Sequence, residues 1–127
     1  MPDPSIATQA ALVAALSGIS APVYDRVPSS AGYPRVTIDT QAAVGADMVD
    51  HRLDERLFYL RVWSIANGQH EALGIMSEID TALHRKRGLT MTTGRWVFSE
   101  VVRKATQREP DNETFMGRVT VRVLTEH

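Results

Sequence analysis

A chain of 127 residues with 43% hydrophobic and 23% charged residues has the size and composition of a single folded domain rather than of a disordered or low-complexity polymer. A formal net charge of −1 gives no global attraction to nucleic acid or to an anionic membrane. The absence of cysteine excludes disulfides, thiolate metal sites and a thiol nucleophile, no apolar run reaches membrane-spanning length, and Met1-Pro2-Asp3-Pro4 lacks the basic and apolar parts of a secretory leader.

The spacing predicts a first helix over residues 4–17, with Asp3 as N-cap and Pro4 at the first helical position. Ile6, Ala10, Val13 and Leu16 mark its apolar stripe, and Gly18 is a natural stop. Tyr24-Asp25-Arg26-Val27-Pro28 follows, then a Ser-Ser-Ala-Gly spacer and Tyr33-Pro34. The prolines and the spacer predict an extended, turning connection that enters a strand near Arg35 to Gln41.

Residues 42–54 read as a long hairpin tip. Asp47, Asp50 and Asp54 are too polar for a core, yet Val44, Met48, Val49 and Leu53 exceed what a solvated loop needs. Val44, Met48, Asp50, Leu53 and Asp54 are therefore candidate contact residues for a partner or a neighbouring subunit. The run from Leu57 to Ile65 is apolar on both faces along most of its length and is placed centrally in a sheet.

Asn67-Gly68 predicts a turn into a second helix over 68–87, with Ala72, Ile75, Met76, Ile79 and Leu83 as its stripe. Glu71 in its first turn and His84, Arg85, Lys86 and Arg87 in its last suit the helix dipole, and Gly88 closes it. Leu89-Thr90-Met91 is a short extended piece, a strand follows over 95–106, and Pro110-Asp111-Asn112 supplies a turn. In the last strand Phe115, Val119, Val121 and Val123 point one way and Arg118, Thr120 and Arg122 the other. Those three polar residues are either solvated or a candidate ring interface. The order α-β-β-α-β-β gives an α+β domain over 1–127, a mainly antiparallel sheet with two helices packed on one face.

No catalytic constellation stands out. His51, His70, His84 and His127 have no metal-ligand spacing to one another, and His51 among Asp47, Asp50 and Asp54 matches no calcium loop. Gly88 to Gly94 lacks the Lys-Ser/Thr pair of a phosphate loop. Ser64 and Ser99 lie in strands, without a nucleophile elbow. Trp63 and Trp96 read as core residues, or else as interface anchors. No catalytic, cofactor-binding or metal-binding residue is assigned.

From the alanine- and leucine-rich helix through Tyr24–Pro28 and Tyr33-Pro34-Arg35-Val36-Thr37-Ile38, the chain resembles the tail completion or tail terminator proteins of long-tailed phages and related gene transfer particles. The likeness continues through Leu60-Arg61-Val62-Trp63-Ser64, Ile75-Met76-Ser77-Glu78-Ile79 and the strand from Gly117 to Leu124. The resemblance implies a structural, non-catalytic protein without cofactor, folded in the bacterial cytoplasm and carried in the particle tail. It implies a homo-oligomeric ring, typically a hexamer, which caps the head-proximal end of the tail tube and stops its polymerisation. The implied partners are the tail tube protein and a head–tail connector or stopper protein. DNA would pass through the lumen without sequence-specific binding, and no membrane is involved. A connector, stopper or adaptor role is the neighbouring reading; the others are a small ligand-binding or enzymatic α+β domain, and a nucleic-acid-binding module suggested by Arg85, Lys86 and Arg87, which balanced charge and few aromatics oppose.

Overall fold

A computed structural model describes residues 3–26, 28, 32–45, 47, 52–65, 69–108, 110 and 114–127. Among the positions singled out from sequence, Met48, Val49, Asp50, His51, the Asn67-Gly68 turn and Asp111-Asn112 lie outside the described residues. The elements are α1 (Ser5–Ala15), β1 (Val23–Tyr24), β2 (Arg35–Gly45), β3 (Leu53–Ser64), α2 (Gln69–Leu83), β4 (Arg95–Arg108) and β5 (Phe115–Glu126). The five strands form one sheet in the order β1-β2-β3-β5-β4. β1 pairs parallel to β2, and every other pairing is antiparallel. The expected α+β architecture is present, with β3 at the centre.

Alternation decides which side of each strand is buried. In β3 the side chains of Phe58, Leu60 and Val62 are fully or almost fully buried, and in β5 those of Val119, Val121 and Val123. They meet Leu12 and Leu16 from the first helical segment and Ala72, Ile75, Met76, Ile79 and Leu83 from α2. Each large apolar side chain so buried contributes about 1.5–3 kcal/mol. α2 lies close on β5: a Cβ at Gly117 would run into the Met76 sulfur. Glycine at this position leaves the space that the Met76 side chain fills.

The second helix uses the stripe read from its sequence, whereas of the first helix's stripe only Leu16 is buried. Ile6 is 87% exposed and Val13 36%, whereas Ala7, Thr8, Ala11 and Leu12 are buried. The inward face of this segment carries Ala7, Thr8, Ala11, Leu12 and Leu16, so the two leucines rather than Ile6 and Val13 supply its buried bulk. Nor does Asp3 cap α1: Pro4 stands at the N-cap, and no side chain caps the helix. Asp3 is engaged elsewhere, as described below.

α2 ends at Leu83, short of the basic residues expected in its last turn. Arg85 adopts a φ of 56°, and Lys86 then exchanges backbone hydrogen bonds with Ser99 of β4. The His84 Nδ1 accepts from the Val101 N–H, and the Arg87 guanidinium lies 5.4 Å from the Phe98 ring centre. The basic run is thus fastened to β4 instead of extending the helix. The short parallel strand β1 was not expected from sequence. It lies in the Tyr24 segment and pairs with Val36 and Thr37, and the peptide between Tyr33 and Pro34 is cis.

Candidate interaction surface

With both helices on one side, the outward face of the sheet has no covering element among the described residues. Register assigns it Arg35 and Thr37 of β2, Tyr59, Arg61 and Trp63 of β3, Arg118, Thr120 and Arg122 of β5, and Glu100, Arg103 and Ala105 of β4, and the contact with Arg61 adds Asp39 from the irregularity in β2. Two shifts of register in β4, between Trp96 and Phe98 and between Val101 and Arg103, bend this edge strand.

The charges on this face are unevenly satisfied. Arg122 reaches Glu55 at 3.3 Å and Glu100 at 3.1 Å, and its pKa is raised by the Glu55 hydrogen bond and, less strongly, by Glu100. Arg61 pairs with Asp39 at 3.1 Å. The Trp63 indole N–H donates to Thr37 at 3.2 Å. Arg103 and Arg118 are exposed and have neither an ion pair nor a hydrogen bond among the described residues. Arg118 also stands directly opposite Arg61 across the β3–β5 ladder, a like-charge pairing that costs stability. Between these side chains lies an open hollow of about 500 Å³, lined by Tyr59, Arg61, Arg103, Ala105, Arg118 and Thr120 among others.

The opposite end of the sheet is closed by a buried arginine. The Arg56 Nε donates to Thr125 Oγ1 at 3.0 Å and Nη1 to Ser5 Oγ at 2.7 Å. Its Nη2 meets Asp3 at 2.8 Å and Asp54 at 3.1 Å. The His127 side chain is buried beside them, its Nδ1 3.5 Å from Asp54, and the His127 N–H donates to the Arg52 carbonyl. The Asp3 pKa falls to about 2, through the Ser5 hydroxyl and then through Arg56. Asp3, Asp54 and His127 present oxygen and nitrogen atoms within 4.8 Å of one another, but the guanidinium already supplies these carboxylates with a cation. This cluster fastens the start of α1 to the ends of β3 and β5.

The candidate residues therefore separate. The hairpin tip is shorter than expected because β2 runs on to Gly45 and β3 starts at Leu53. Val44 lies in β2 opposite Glu55 and is 66% exposed. Leu53 and Asp54 are no loop residues: both are buried in β3, and Asp54 is held by Arg56. Of the three outward residues of β5, Arg122 is taken up by its own chain, Thr120 is half-buried, and Arg118 has no partner among the described residues. Sequence reading missed Arg56 and Arg103. The signal for Arg56 was its parity: Asp54 and Arg56 are in phase with Phe58, Leu60 and Val62, so an inward strand face carries an opposite-charge pair. The signal for Arg103 was hidden by the bulge, which changes the parity of β4.

Comparison with known proteins agrees with this geometry. A family model described as tail completion protein gp17 matches residues 5–126. A chain from the virion of a native gene transfer agent particle has the same fold, with a TM-score of 0.83 and 23% sequence identity over 100% of both chains. No curated protein sequence matches the chain.

Proposed function

Because the chain belongs to the tail completion protein gp17 family, we propose that it is a structural, non-enzymatic protein of a phage-like or gene-transfer particle tail. It caps the head-proximal end of the tail tube as a homo-hexameric ring, ends tube polymerisation and offers the surface on which the head-side connector docks. The observation that carries this reading is the uncovered sheet face with its unpaired arginines, on a domain whose other face is filled by its own helices. A subunit built this way has a surface to give to neighbours, and contacts between unlike patches close into rings. The β2–β3 connection, with exposed Val44 and Asp47 beside Met48 and Asp50 in sequence, supplies a second contact, to the tube or a neighbour. Replacing residues 46–52 with Gly-Asn-Gly is expected to leave the fold intact and to give over-long tails or unattached heads. Normal particles at normal titre would reduce this connection to a mere link. Counting copies per particle by quantitative mass measurement tests the ring itself: about six supports it, and a single copy removes it.

A further inference from the structure

We propose that the hollow around Arg103 and Arg118 is the seat for the acidic end of the β2–β3 hairpin of a second copy of this chain. The inference rests on the ring reading above and names the two surfaces that would meet in it.

The seat has the chemistry of a carboxylate receptor. Arg61 and Arg122 are neutralised by Asp39, Glu55 and Glu100, so the guanidinium groups lining this hollow that have no ion pair among the described residues are those of Arg103 and Arg118. Both flank one hollow whose remaining wall includes the Tyr59 ring and Ala105, which suit an apolar side chain. Two free guanidinium groups above an aromatic and an alanine fit a segment that presents one acid and one aliphatic residue.

This chain carries such a segment. Val44 is exposed at the end of β2, and Asp47 is exposed just beyond it. One Asp47 oxygen accepts the Leu53 N–H at 3.1 Å, which orients this exposed carboxylate. The segment cannot reach the hollow of its own chain. The hairpin end lies beside Asp54, whereas the hollow lies at Tyr59 to Arg61, roughly 20 Å further along paired strands that do not fold back. Acid at one end of the subunit and free arginine towards the other make a head-to-tail contact, which repeats from copy to copy.

A charge exchange within one chain tests the seat. Arg118→Glu alone and Asp47→Lys alone are each expected to weaken self-association of the purified full chain by about tenfold or more, read by light scattering against concentration. The double variant carrying both changes is expected to recover it. Circular dichroism and urea midpoints guard against misfolding. Because the chain has no cysteine, Val44→Cys with Ala105→Cys gives an independent reading. Oxidation is expected to yield a ladder of linked copies that neither single variant gives. Wild-type-like association in both charge variants, or no ladder from the cysteine pair, overturns the seat. The ring reading is judged separately by copy number in the particle, so a particle with about six copies and silent variants rejects the seat alone.

Discussion

Arg56 and Arg118 sit in neighbouring strands of one sheet, yet they have opposite surroundings. Arg56 is fully buried and meets Asp3, Ser5, Asp54 and Thr125; Arg118 is exposed and meets none of them. The buried guanidinium had to be satisfied within the chain, because an unpaired charge in that position costs several kcal/mol, on the order of 3–5 when one partner is removed. The outward one is under no such demand. The charges around the two arginines differ in the same way: those of the Arg56 cluster are paired within the fold, and those on the open side are in part held in reserve. Unspent charge on an exposed face marks where the molecule is available to others.

The sharpest break of this comparison is between adjacent residues. Phe58 is fully buried and Tyr59, next in β3, is 37% exposed on the other face. Phe58→Ala is expected to cost about 3–5 kcal/mol and Tyr59→Ala less than about 1 kcal/mol, measured by urea unfolding. Similar losses for the two would mean that the outer face is covered within the subunit. Next come the arginines: Arg56→Ala is expected to destabilise by about 3 kcal/mol, whereas Arg118→Ala stays within about 0.5 kcal/mol.

The smallest effect concerns acid. The Asp3 carboxyl, with a reference pKa of 3.8, is lowered to about 2 by Ser5 and Arg56. A lowered carboxylate stabilises the fold above its unfolded pKa, and that contribution disappears as pH falls through the folded value. Asp3→Asn is therefore expected to be less stable than the wild type at pH 6, with the two converging between about pH 4 and pH 2. Asp3 is more than half exposed, so solvent screening keeps the difference small. Parallel urea midpoints at both ends of that range would decide it.

Much of the fold could be read from residue order because hydrophobic phase and element type agreed. The α2 stripe and the alternation of β5 are such cases, and both are buried as read. Reading failed where polar chemistry was in phase with the core. Asp54 was assigned to the hairpin tip and Arg56 to no element, but mutual pairing allows them inside, so β3 begins four residues before the expected Leu57. It failed again in α1, where of the stripe Ile6, Ala10, Val13 and Leu16 only Leu16 is buried and Ala7, Thr8, Ala11 and Leu12 take the inward face. The candidate surface was half legible. The outward set of β5 could be named, but which of its arginines remained free depended on Glu55 and Glu100 from other strands, contacts that no local pattern encodes.

The bends in β4 have one more consequence. A straight outer strand offers its backbone to any other strand it meets, and free subunits in a crowded cell would be exposed to runaway stacking into fibrils. β4 shifts register twice and bears Arg103 and Lys104 where it would otherwise be flat. That irregular, charged margin makes a poor template for cross-β growth, so a pool of unassembled chains is protected at this edge while it waits to be used.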